Sequence, residues 1–341
     1  GAAIYDAARA MRDVMIEVGM AVDGGKDSLS MATMVGEETV KSPRELVISA
    51  YAAVPDITRV VTPDIKEIDS TLLYLDLGGG VTRMGGSSLA QVMGQMGDIC
   101  PDLEDGARLK KCFAAIQELI SRGLINAGHD RSDGGLITTL LEMAFAGNCG
   151  LDISLEGTAS VFEKLFSEEL GLVIECSAVQ LEEVESLLSE RAVDFVRIGA
   201  PSGSGRIKIQ YNGEEVLDEQ MVVLRSWWEE TSYQLDRLQM DPACADEEKE
   251  NIYDRKGVAY TLSFTPEPSP PELLERADKP KVAILRDEGS NSDREMTSAF
   301  YAAGFEPWDI CMNDLLAGTV SRDVFRGLAA VGGCLLNTSA S

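Results

Sequence analysis

The sequence has 341 residues, of which 45% are hydrophobic and 26% are charged, and its formal net charge at pH 7 is −27. A chain of this length predicts about two or three domains, and the composition is typical of a globular protein rather than a disordered or fibrous one. The negative charge argues against a surface that follows nucleic-acid phosphates, because such surfaces rely on Lys and Arg. A phosphorylated ligand would instead bind through Mg²⁺ and backbone N–H groups.

The cysteines are scattered without a C-x-x-C pair, and the chain has a single histidine. We therefore expect no structural zinc. We expect instead that the cysteines are reduced, buried thiols in a cytoplasmic protein. A membrane-spanning segment and a signal peptide are not expected either, because no apolar run is long enough and no leader pattern is found. The cysteines are Cys100, Cys112, Cys149, Cys176, Cys244, Cys311 and Cys334.

The first part of the sequence alternates predicted helices and strands, which indicates an α/β domain. A helix is predicted over roughly residues 2–19. Apolar runs at 45–57 and 70–78 predict buried strands. A glycine turn then leads into a short helix, for which Ser87 or Ser88 is the candidate N-cap.

Two longer helices are predicted on either side of the run HDRSDGG, residues 129–135, which holds the only histidine. Apolar residues at helical spacing place the first helix within 105–125. The second covers 136–148, where Gly147 and Asn148 are expected to form a left-handed C-cap. Further strands are predicted at 170–175 and 206–213.

The composition changes in the last third of the chain. Residues 227–239 predict an amphipathic helix that packs on the main body. The acidic and proline-rich segment 240–280 predicts a linker, because Pro is not tolerated inside helices or central strands. The pattern after residue 280 is typical of the opening of a doubly wound fold, which the chain would end before completing. Its strands are predicted at 281–286, 307–310 and 326–333, with a helix within 289–305.

Two short motifs could bind a phosphate or a metal. In GGKDS, residues 24–28, paired glycines let backbone N–H groups approach an anion, although such a turn is more often only a turn. In HDRSDGG, Asp130 and Asp133 offer oxygen ligands for Mg²⁺, and the glycines open a helix whose N-terminus favours anions. The alternative is structural, with Asp133 capping the helix and His129 hydrogen-bonded on the surface. From these seven residues alone, the structural interpretation is favoured.

Five long blocks occur in the order and spacing of one known family. Together they resemble the large eukaryotic-type phosphoribosylformylglycinamidine synthases, the glutamine-dependent amidotransferases of de novo purine synthesis. The similarity runs from residue 1 to about residue 333 and is far more specific than a short glycine motif. The blocks are VDGGKDSLSM at 22–31, HDRSDGGLITTLLEMAFAGNCGLDI at 129–153, FSEELGLVIE at 166–175, LRSWWEETSYQLDRLQ at 224–239 and KVAILRDEGSNSDREMTSAFYAAGFEPWDI at 281–310.

The resemblance implies an α/β fold in which an α+β synthetase lobe of the aminoimidazole-ribonucleotide-synthetase type precedes the truncated start of a flavodoxin-like class I glutaminase. Residues 1–57 would end an N-type synthetase lobe, and residues 58–239 would form a C-type lobe. Residues 240–280 would be the linker. Residues 281–341 would be an incomplete class I glutamine amidotransferase domain.

The resemblance also implies an ATP-dependent C–N ligase with glutamine as the amido donor. ATP would phosphorylate the formamide oxygen of formylglycinamide ribonucleotide, and ammonia from glutamine would displace the phosphate to give the amidine. The implied cofactors are Mg²⁺ and ATP, with one reacting and one structural nucleotide. The implied partners are formylglycinamide ribonucleotide, glutamine-derived ammonia and the missing lobes of the same polypeptide, with no nucleic acid and no membrane.

The family's site residues carry over onto three places in this sequence. Asp130 matches a Mg²⁺ ligand and Ser132 an ATP-binding contact beside it, at the structural nucleotide, with His129 in a supporting role only. Gly25 matches a contact to the reacting ATP, and Lys26, Asp27 and Ser28 belong to the loop that faces the substrate. Gly332 and Gly333 match an oxyanion loop of the glutaminase, whose N–H groups would stabilise developing negative charge.

The departures from the family pattern concern the catalytic groups. The lobes that carry the catalytic histidine and the other acidic ligands of the metal would precede residue 1. After residue 333 the sequence reads CLLNTSAS, so the cysteine nucleophile and the His–Glu pair of the glutaminase do not follow. The chain is therefore expected to be a fragment without the complete catalytic machinery. The alternative is a non-catalytic scaffold or a regulatory fragment.

Overall fold

The structure is a computed structural model that describes residues 2–22, 24, 31–43, 45–254, 261–286 and 290–332. It divides into two compact units, residues 1–256 and residues 257–341. The predicted α/β class is confirmed, because both units combine helices with sheets. In the described part of the chain, no helix is both long enough and apolar enough to cross a membrane.

The first unit begins with elements that remain largely exposed. Helix α1 (Ala2–Val18) agrees with the predicted helix, and strands β1 (Ala32–Val35) and β2 (Glu38–Lys41) form an antiparallel hairpin. The buried strand predicted at 45–57 is wrong, because the described residues 45–56 form neither strand nor helix and are exposed. An apolar run becomes a strand only where neighbouring strands pair with its backbone groups, and the described sheets offer this run no such neighbour.

A seven-stranded sheet forms the centre of the first unit, in the order β4-β6-β3-β7-β5-β8-β9. All neighbouring strands are antiparallel except β5 and β8, which are parallel. The strands are β3 (Thr71–Asp76), β4 (Ala127–Arg131), β5 (Gly150–Leu155), β6 (Gly171–Cys176), β7 (Val196–Ser202), β8 (Arg206–Tyr211) and β9 (Glu214–Gln220). The strands predicted at 70–78, 170–175 and 206–213 are thus confirmed as β3, β6 and β8.

Helices cover both faces of this sheet and create two hydrophobic cores. Along β3, Leu72 and Tyr74 enter the core beside α4, whereas Leu73 and Leu75 enter the core beside α3 and α6. A strand buried on both faces is apolar at nearly every position, which is why the run at 70–78 could be recognised. The helices are α2 (Ser88–Val92), α3 (Gly106–Arg122), α4 (Gly135–Gly147), α5 (Val161–Phe166), α6 (Leu181–Glu190) and α7 (Met221–Trp228).

The predicted helix ends near the central motif are confirmed. Ser87 caps α2, its side chain accepting a hydrogen bond from the N–H of Ala90. Helix α4 ends at Asn148 in the left-handed conformation, with φ of 50°. The cap at Asn148 ends α4 two residues before β5 begins at Gly150.

The region after the sheet differs from the sequence prediction. Residues 227–239 do not form one helix, because Trp227 and Trp228 end α7 and a second helix, α8 (Glu230–Gln239), begins after Glu229. Helix α8 packs against α9 (Pro242–Glu250), where the hydroxyl of Tyr233 donates to Asp246 at 2.7 Å. Helix α9 lies inside the segment 240–280 that was predicted to be a linker. The limits of the linker, residues 240 and 280, stay a prediction.

The second unit is a small parallel sheet with helices. Its strand order is β11-β10-β12, with β10 in the centre and its side chains Val282, Ala283 and Ile284 buried. The strands predicted after residue 280 are confirmed as β10 (Lys281–Leu285), β11 (Glu306–Ile310) and β12 (Gly327–Ala330). The helices are α10 (Pro271–Leu274), α11 (Asp293–Ala302) and α12 (Met312–Leu316).

The six described cysteines are free thiols, but they are not all buried. Cys112, Cys149 and Cys176 are buried, whereas Cys100 and Cys244 are exposed, so the prediction of buried thiols is wrong for these two. Burial raises the pKa of the Cys112 and Cys149 thiols to about 11 and that of Cys176 to about 12. The buried thiols therefore stay protonated and unreactive at neutral pH.

Candidate functional site

The run HDRSDGG begins on a strand rather than on a loop. His129, Asp130 and Arg131 are the last three residues of β4, and the run then turns into α4. Strand β4 is an edge strand that pairs with β6, with Asp130 opposite Leu172. Asp130 and Ser132 are both exposed at the end of this strand, at one corner of the sheet.

The structural interpretation of Asp133 as the helix cap is wrong. The N-cap of α4 is Gly134, with φ of 82°, which has no side chain to accept a hydrogen bond from the helix. The N–H of Gly134 donates instead to Oε1 of Glu168 at 2.8 Å, and the N–H of Gly135 donates to the carbonyl of Ser132 at 3.0 Å. Both glycine N–H groups thus have protein partners, which removes them as donors to a bound phosphate.

Glu168 contacts the starts of two helices. The same Oε1 atom that accepts from Gly134 also accepts from the N–H of Ser88 at 2.8 Å, at the first residue of α2. A carboxylate at a helix N-terminus is stabilised by the unpaired N–H groups and by the helix dipole. Glu168 therefore ties the β4–α4 turn to the loop before α2, and the sequence analysis did not single it out.

The neighbouring Glu169 is fully buried and is paired with Arg83. Oε1 of Glu169 accepts from Nε of Arg83 at 2.6 Å and from its backbone N–H at 3.0 Å, and Oε2 accepts from Nη2 at 2.8 Å. Burial alone would raise the pKa of Glu169, but the hydrogen bonds from Arg83 outweigh burial and lower it. Glu169 is therefore an ionised structural group, and its backbone carbonyl accepts from Nε of Arg131.

A glycine loop follows β3 on the same side as Arg131. The two carboxylate oxygens of Asp76 accept from the N–H groups of Gly78 and Gly80, each at 2.9 Å. The guanidinium of Arg131 lies 3.9 Å from Oδ1 of Asp76 and 5.3 Å from the centre of the Tyr74 ring. Burial raises the pKa of Tyr74 above its ordinary range, so this phenol stays protonated. The loop is thus organised by groups inside the protein.

Asp130 itself combines exposure with a defined orientation. Its side chain is 67% exposed, and its Oδ1 lies 3.2 Å from Nδ1 of His129. The other ring nitrogen, Nε2, lies 2.8 Å from Oε2 of Glu142 on α4. The backbone carbonyl of Asp130 accepts from the hydroxyl of Thr139 at 3.0 Å. Asp130 is therefore held through both its main chain and its side chain, while much of the carboxylate faces solvent.

The donor set around Asp130 fits Mg²⁺ only as a nucleotide-bound ion. Within the described residues, no group of three or more His, Cys, Asp or Glu side chains could hold a metal. However, Mg²⁺ keeps several waters and often takes one or two protein carboxylates together with nucleotide phosphates. The exposed carboxylate of Asp130 satisfies that requirement, whereas an all-protein metal site does not exist at this corner of the described structure.

Of the remaining predicted site residues, the structure describes only Gly332. Gly25, Lys26, Asp27, Ser28 and Gly333 lie outside the described residues. Gly332 follows β12 in the second unit, and its carbonyl accepts from the N–H of Asn291 at 2.7 Å. Open space surrounds the Cα of Gly332, because an added Cβ would approach the nearest atom, Oδ1 of Asn291, only to 4.0 Å.

Family models match three parts of the chain. Residues 1–53 match the FGAR-AT PurM_N-like domain, and residues 71–212 match the AIR synthase related protein, C-terminal domain. Residues 279–338 match the CobB/CobQ-like glutamine amidotransferase domain. The candidate residues Asp130 and Ser132 thus lie within the AIR synthase related segment, and Gly332 and Gly333 lie within the amidotransferase segment.

Two curated relatives match nearly the whole chain. One from Arabidopsis thaliana, named probable phosphoribosylformylglycinamidine synthase, chloroplastic/mitochondrial, is 51% identical over 98% of this chain and 24% of its own length. The Homo sapiens phosphoribosylformylglycinamidine synthase is 48% identical over 98% of this chain and 25% of its own length. The chain is similar to phosphoribosylformylglycinamidine synthases. It spans about a quarter of the length of these relatives, and the resemblance stated from the five sequence blocks is confirmed.

The solved structures are more distant. T. maritima PurL complexed with FGAR matches with a TM-score of 0.47 and 15% sequence identity, covering 62% of this chain and 36% of that chain. T. maritima PurL complexed with ATP matches with a TM-score of 0.45 and 14% identity, covering 62% of this chain and 34% of that chain.

Sequence reasoning missed the groups that organise the site from a distance. Glu142, Glu168 and Glu169 each contact the run 129–135 or its neighbours from other elements. Two of them form the pair EE in the block FSEELGLVIE, directly before a predicted strand. Paired acidic residues beside a buried strand in a block of the resemblance were the available signal, because carboxylates there must find partners inside the fold.

Proposed function

We propose that this chain serves in the ATP- and glutamine-dependent conversion of formylglycinamide ribonucleotide to formylglycinamidine ribonucleotide, in de novo purine biosynthesis. The observation that carries the proposal is the continuous similarity to phosphoribosylformylglycinamidine synthases along 98% of the chain, at 51% and 48% identity. The two domain matches that flank the linker also support it, because one is of the AIR synthase type and the other of the glutamine amidotransferase type. The alternative of a non-catalytic scaffold is not favoured by these similarities.

In this proposal, the corner formed by β4 and α4 contacts the structural nucleotide. Asp130 would hold a nucleotide-bound Mg²⁺ through its exposed carboxylate, and Ser132 would contact the nucleotide with its hydroxyl. When bound, Mg²⁺ offsets the negative charge of the phosphates. The support from the structure is that both residues are exposed at the end of one strand while Asp130 is held by Thr139 and His129.

The remaining assignments belong to the same proposal. Gly25 would contact the reacting ATP, and Lys26, Asp27 and Ser28 would face formylglycinamide ribonucleotide. Ammonia released from glutamine would reach the phosphorylated substrate, and the backbone N–H groups of Gly332 and Gly333 would belong to the oxyanion loop of the glutaminase. The other lobes of the polypeptide would complete the catalytic sites.

The proposed domain limits follow the sequence. An N-type lobe would end within residues 1–57, and a C-type synthetase lobe would comprise 58–239. A linker would follow over 240–280, and an amidotransferase segment would occupy 281–341. The cytoplasm is the proposed location; the Arabidopsis relative is named chloroplastic/mitochondrial, so organelle fractionation is the measurement that separates the two.

Calorimetric titration of the 341-residue chain with ADP in the presence of Mg²⁺ tests the nucleotide site. We expect saturable binding that weakens at least about tenfold in Asp130→Asn, because one anionic Mg²⁺ ligand is lost. Asp152→Asn is the matched control, since Asp152 is also an exposed aspartate on a strand of the same sheet. Equal loss of affinity in both variants, or an unchanged affinity in Asp130→Asn, contradicts the proposed role of Asp130.

A further inference from the structure

We infer that His129 is a positioning residue for the carboxylate of Asp130, and that Glu142 and Trp228 hold the imidazole in place from two helices. The inference rests on the proposed function, because it assumes that Asp130 holds a nucleotide-bound Mg²⁺. It adds how the chain orients that ligand. It also connects the nucleotide corner to α7, a helix that none of the predicted site residues belongs to.

Asp130 needs a positioning partner because of where it lies. It is on an edge strand with its side chain 67% exposed, so packing against other side chains does little to restrict the carboxylate. Nδ1 of His129 lies 3.2 Å from Oδ1 of Asp130, so that an Nδ1–H group donating to this oxygen restricts the carboxylate. A ligand held by a second group binds metal more tightly, since less orientational freedom is lost on binding.

The imidazole of His129 is itself held from α4. Only 19% of its side chain is exposed, and Nε2 lies 2.8 Å from Oε2 of Glu142. Glu142 is three residues after Thr139, whose hydroxyl donates to the backbone carbonyl of Asp130 at 3.0 Å. One face of α4 therefore fixes the main chain of Asp130 directly and its side chain through His129.

Trp228 extends this arrangement to α7. Its indole Nε1 donates to Oε1 of Glu142 at 3.2 Å, so the two oxygens of that carboxylate are divided between the indole and the imidazole. The Trp228 ring also packs on Phe145 of α4, with ring centres 5.9 Å apart. The order of contacts is thus Trp228, Glu142, His129 and Asp130, from the end of α7 to the exposed corner.

A purely structural role of these side chains and a positioning role of His129 lead to different metal affinities in the variants. If these side chains only join β4, α4 and α7, their removal lowers the stability of the fold but leaves metal affinity unchanged and independent of Asp130. If His129 positions Asp130, its removal weakens metal binding only while the carboxylate of Asp130 is present. A double-mutant cycle between the two residues separates these cases.

The experiment measures Mn²⁺ binding to the 341-residue chain in the presence of ADP, by the electron paramagnetic resonance signal of free Mn²⁺. We expect His129→Ala to weaken Mn²⁺ binding about 10- to 100-fold, the usual effect of removing a group that orients a metal ligand. His129→Asn places an amide nitrogen near the former Nδ1 and should recover part of the affinity. His129→Gln places an amide nitrogen near the former Nε2, beside Glu142 and away from Asp130, so Mn²⁺ binding should remain weak.

Glu142→Gln tests the next contact, with Glu183→Gln as the matched control because Glu183 pairs with Arg122 on other helices. We expect weakened Mn²⁺ binding in Glu142→Gln and wild-type binding in the control. Circular dichroism melting of each variant identifies any loss of fold. If His129→Ala does not fold, the comparison of Mn²⁺ binding between His129→Asn and His129→Gln tests the positioning role instead.

The outcomes separate this inference from the proposal on which it rests. If the wild-type chain binds no Mn²⁺·ADP, the proposed nucleotide site is wrong and the inference falls with it. If the wild type and His129→Ala bind Mn²⁺ equally, only the positioning role is wrong. The positioning role is also wrong if His129→Ala weakens Mn²⁺ binding by the same factor in the wild-type and Asp130→Asn backgrounds. A loss of Mn²⁺ affinity confined to the wild-type background supports it.

Discussion

Oε1 of Glu168 accepts a hydrogen bond from the backbone N–H of Gly134 at 2.8 Å, which places a carboxylate at the start of α4. The same atom accepts from Ser88 at the start of α2. Two segments that are distant in the sequence, the β4–α4 turn and the loop before α2, are therefore joined by one oxygen atom.

We predict that Glu168→Ala lowers the free energy of unfolding by about 2–3 kcal/mol, because two backbone donors lose a charged acceptor. Urea denaturation of the variant and the wild type measures the difference. Glu190→Ala is the control, since Glu190 is an exposed residue at the end of α6 that accepts only from the nearby Ser186 hydroxyl among the contacts described. An unchanged urea midpoint in Glu168→Ala contradicts the structural role.

Gly135 is predicted to be irreplaceable for packing as well as for conformation. Its φ is +76°, and an added Cβ would lie 2.7 Å from the carbonyl oxygen of Leu165 and from the backbone of Phe166. Gly213 has a similar φ of +80° but open space around it. Gly213→Ala should lower the free energy of unfolding by about 1–2 kcal/mol through backbone strain alone. Gly135→Ala should lower the free energy of unfolding by at least about twice as much as Gly213→Ala. Equal decreases in the two variants would show that packing around Gly135 does not contribute.

The pair of Glu169 and Arg83 predicts a specific pH dependence. Because the pKa of folded Glu169 lies below its ordinary value of 4.5, the ionised group stabilises the fold above about pH 4.5, and this contribution is lost as the pH falls through the folded pKa. Glu169→Gln should therefore be less stable than the wild type by about 1–3 kcal/mol at pH 7. The difference should shrink when urea denaturation is repeated at successively lower pH, and a constant difference down to pH 3 would contradict it.

Thiol labelling provides a direct check on the core. At pH 8, an exposed thiol reacts with an alkylating reagent, whereas burial raises the pKa of Cys176 to about 12 and keeps it protonated. We expect peptides containing Cys100 and Cys244 to be modified rapidly in the native chain. Peptides containing Cys112, Cys149 or Cys176 should be modified only after unfolding. Mass spectrometry distinguishes the peptides, and fast native labelling of Cys176 would contradict the described packing.

The parts of the fold that the sequence predicted are those where local pattern and environment agree. The run of β3 is apolar because both of its faces are buried, and α4 begins and ends at glycine and asparagine residues that permit unusual backbone angles. The run at 45–57 has the same apolar character but lacks a neighbouring strand among the described residues, so its pattern alone gave the wrong prediction.

The sequence allowed the exposed residues of the candidate site to be predicted, but not the hydrogen bonds that join them to distant parts of the chain. Asp130 and Ser132 could be selected from chemistry and resemblance, because carboxylate and hydroxyl oxygens suit a nucleotide-bound cation. The contacts of Glu168 span 34 residues to Gly134 and 80 residues to Ser88, and no local pattern encodes pairs of that separation. For the same reason, the sequence predicted Asp133 as the helix cap, whereas Glu168 accepts the hydrogen bond from the Gly134 N–H.

Strand β3 pairs with β6, about 100 residues further along, and with the still later β7. On a ribosome that adds about 5–20 residues per second, β3 therefore waits on the order of 5–20 s for its first partner. Throughout that interval its sequence TLLYLD presents an apolar, unpaired edge of the kind that attracts other nascent chains. The yield of correctly folded chain should thus depend on chaperone supply during synthesis more than on the stability of the finished sheet.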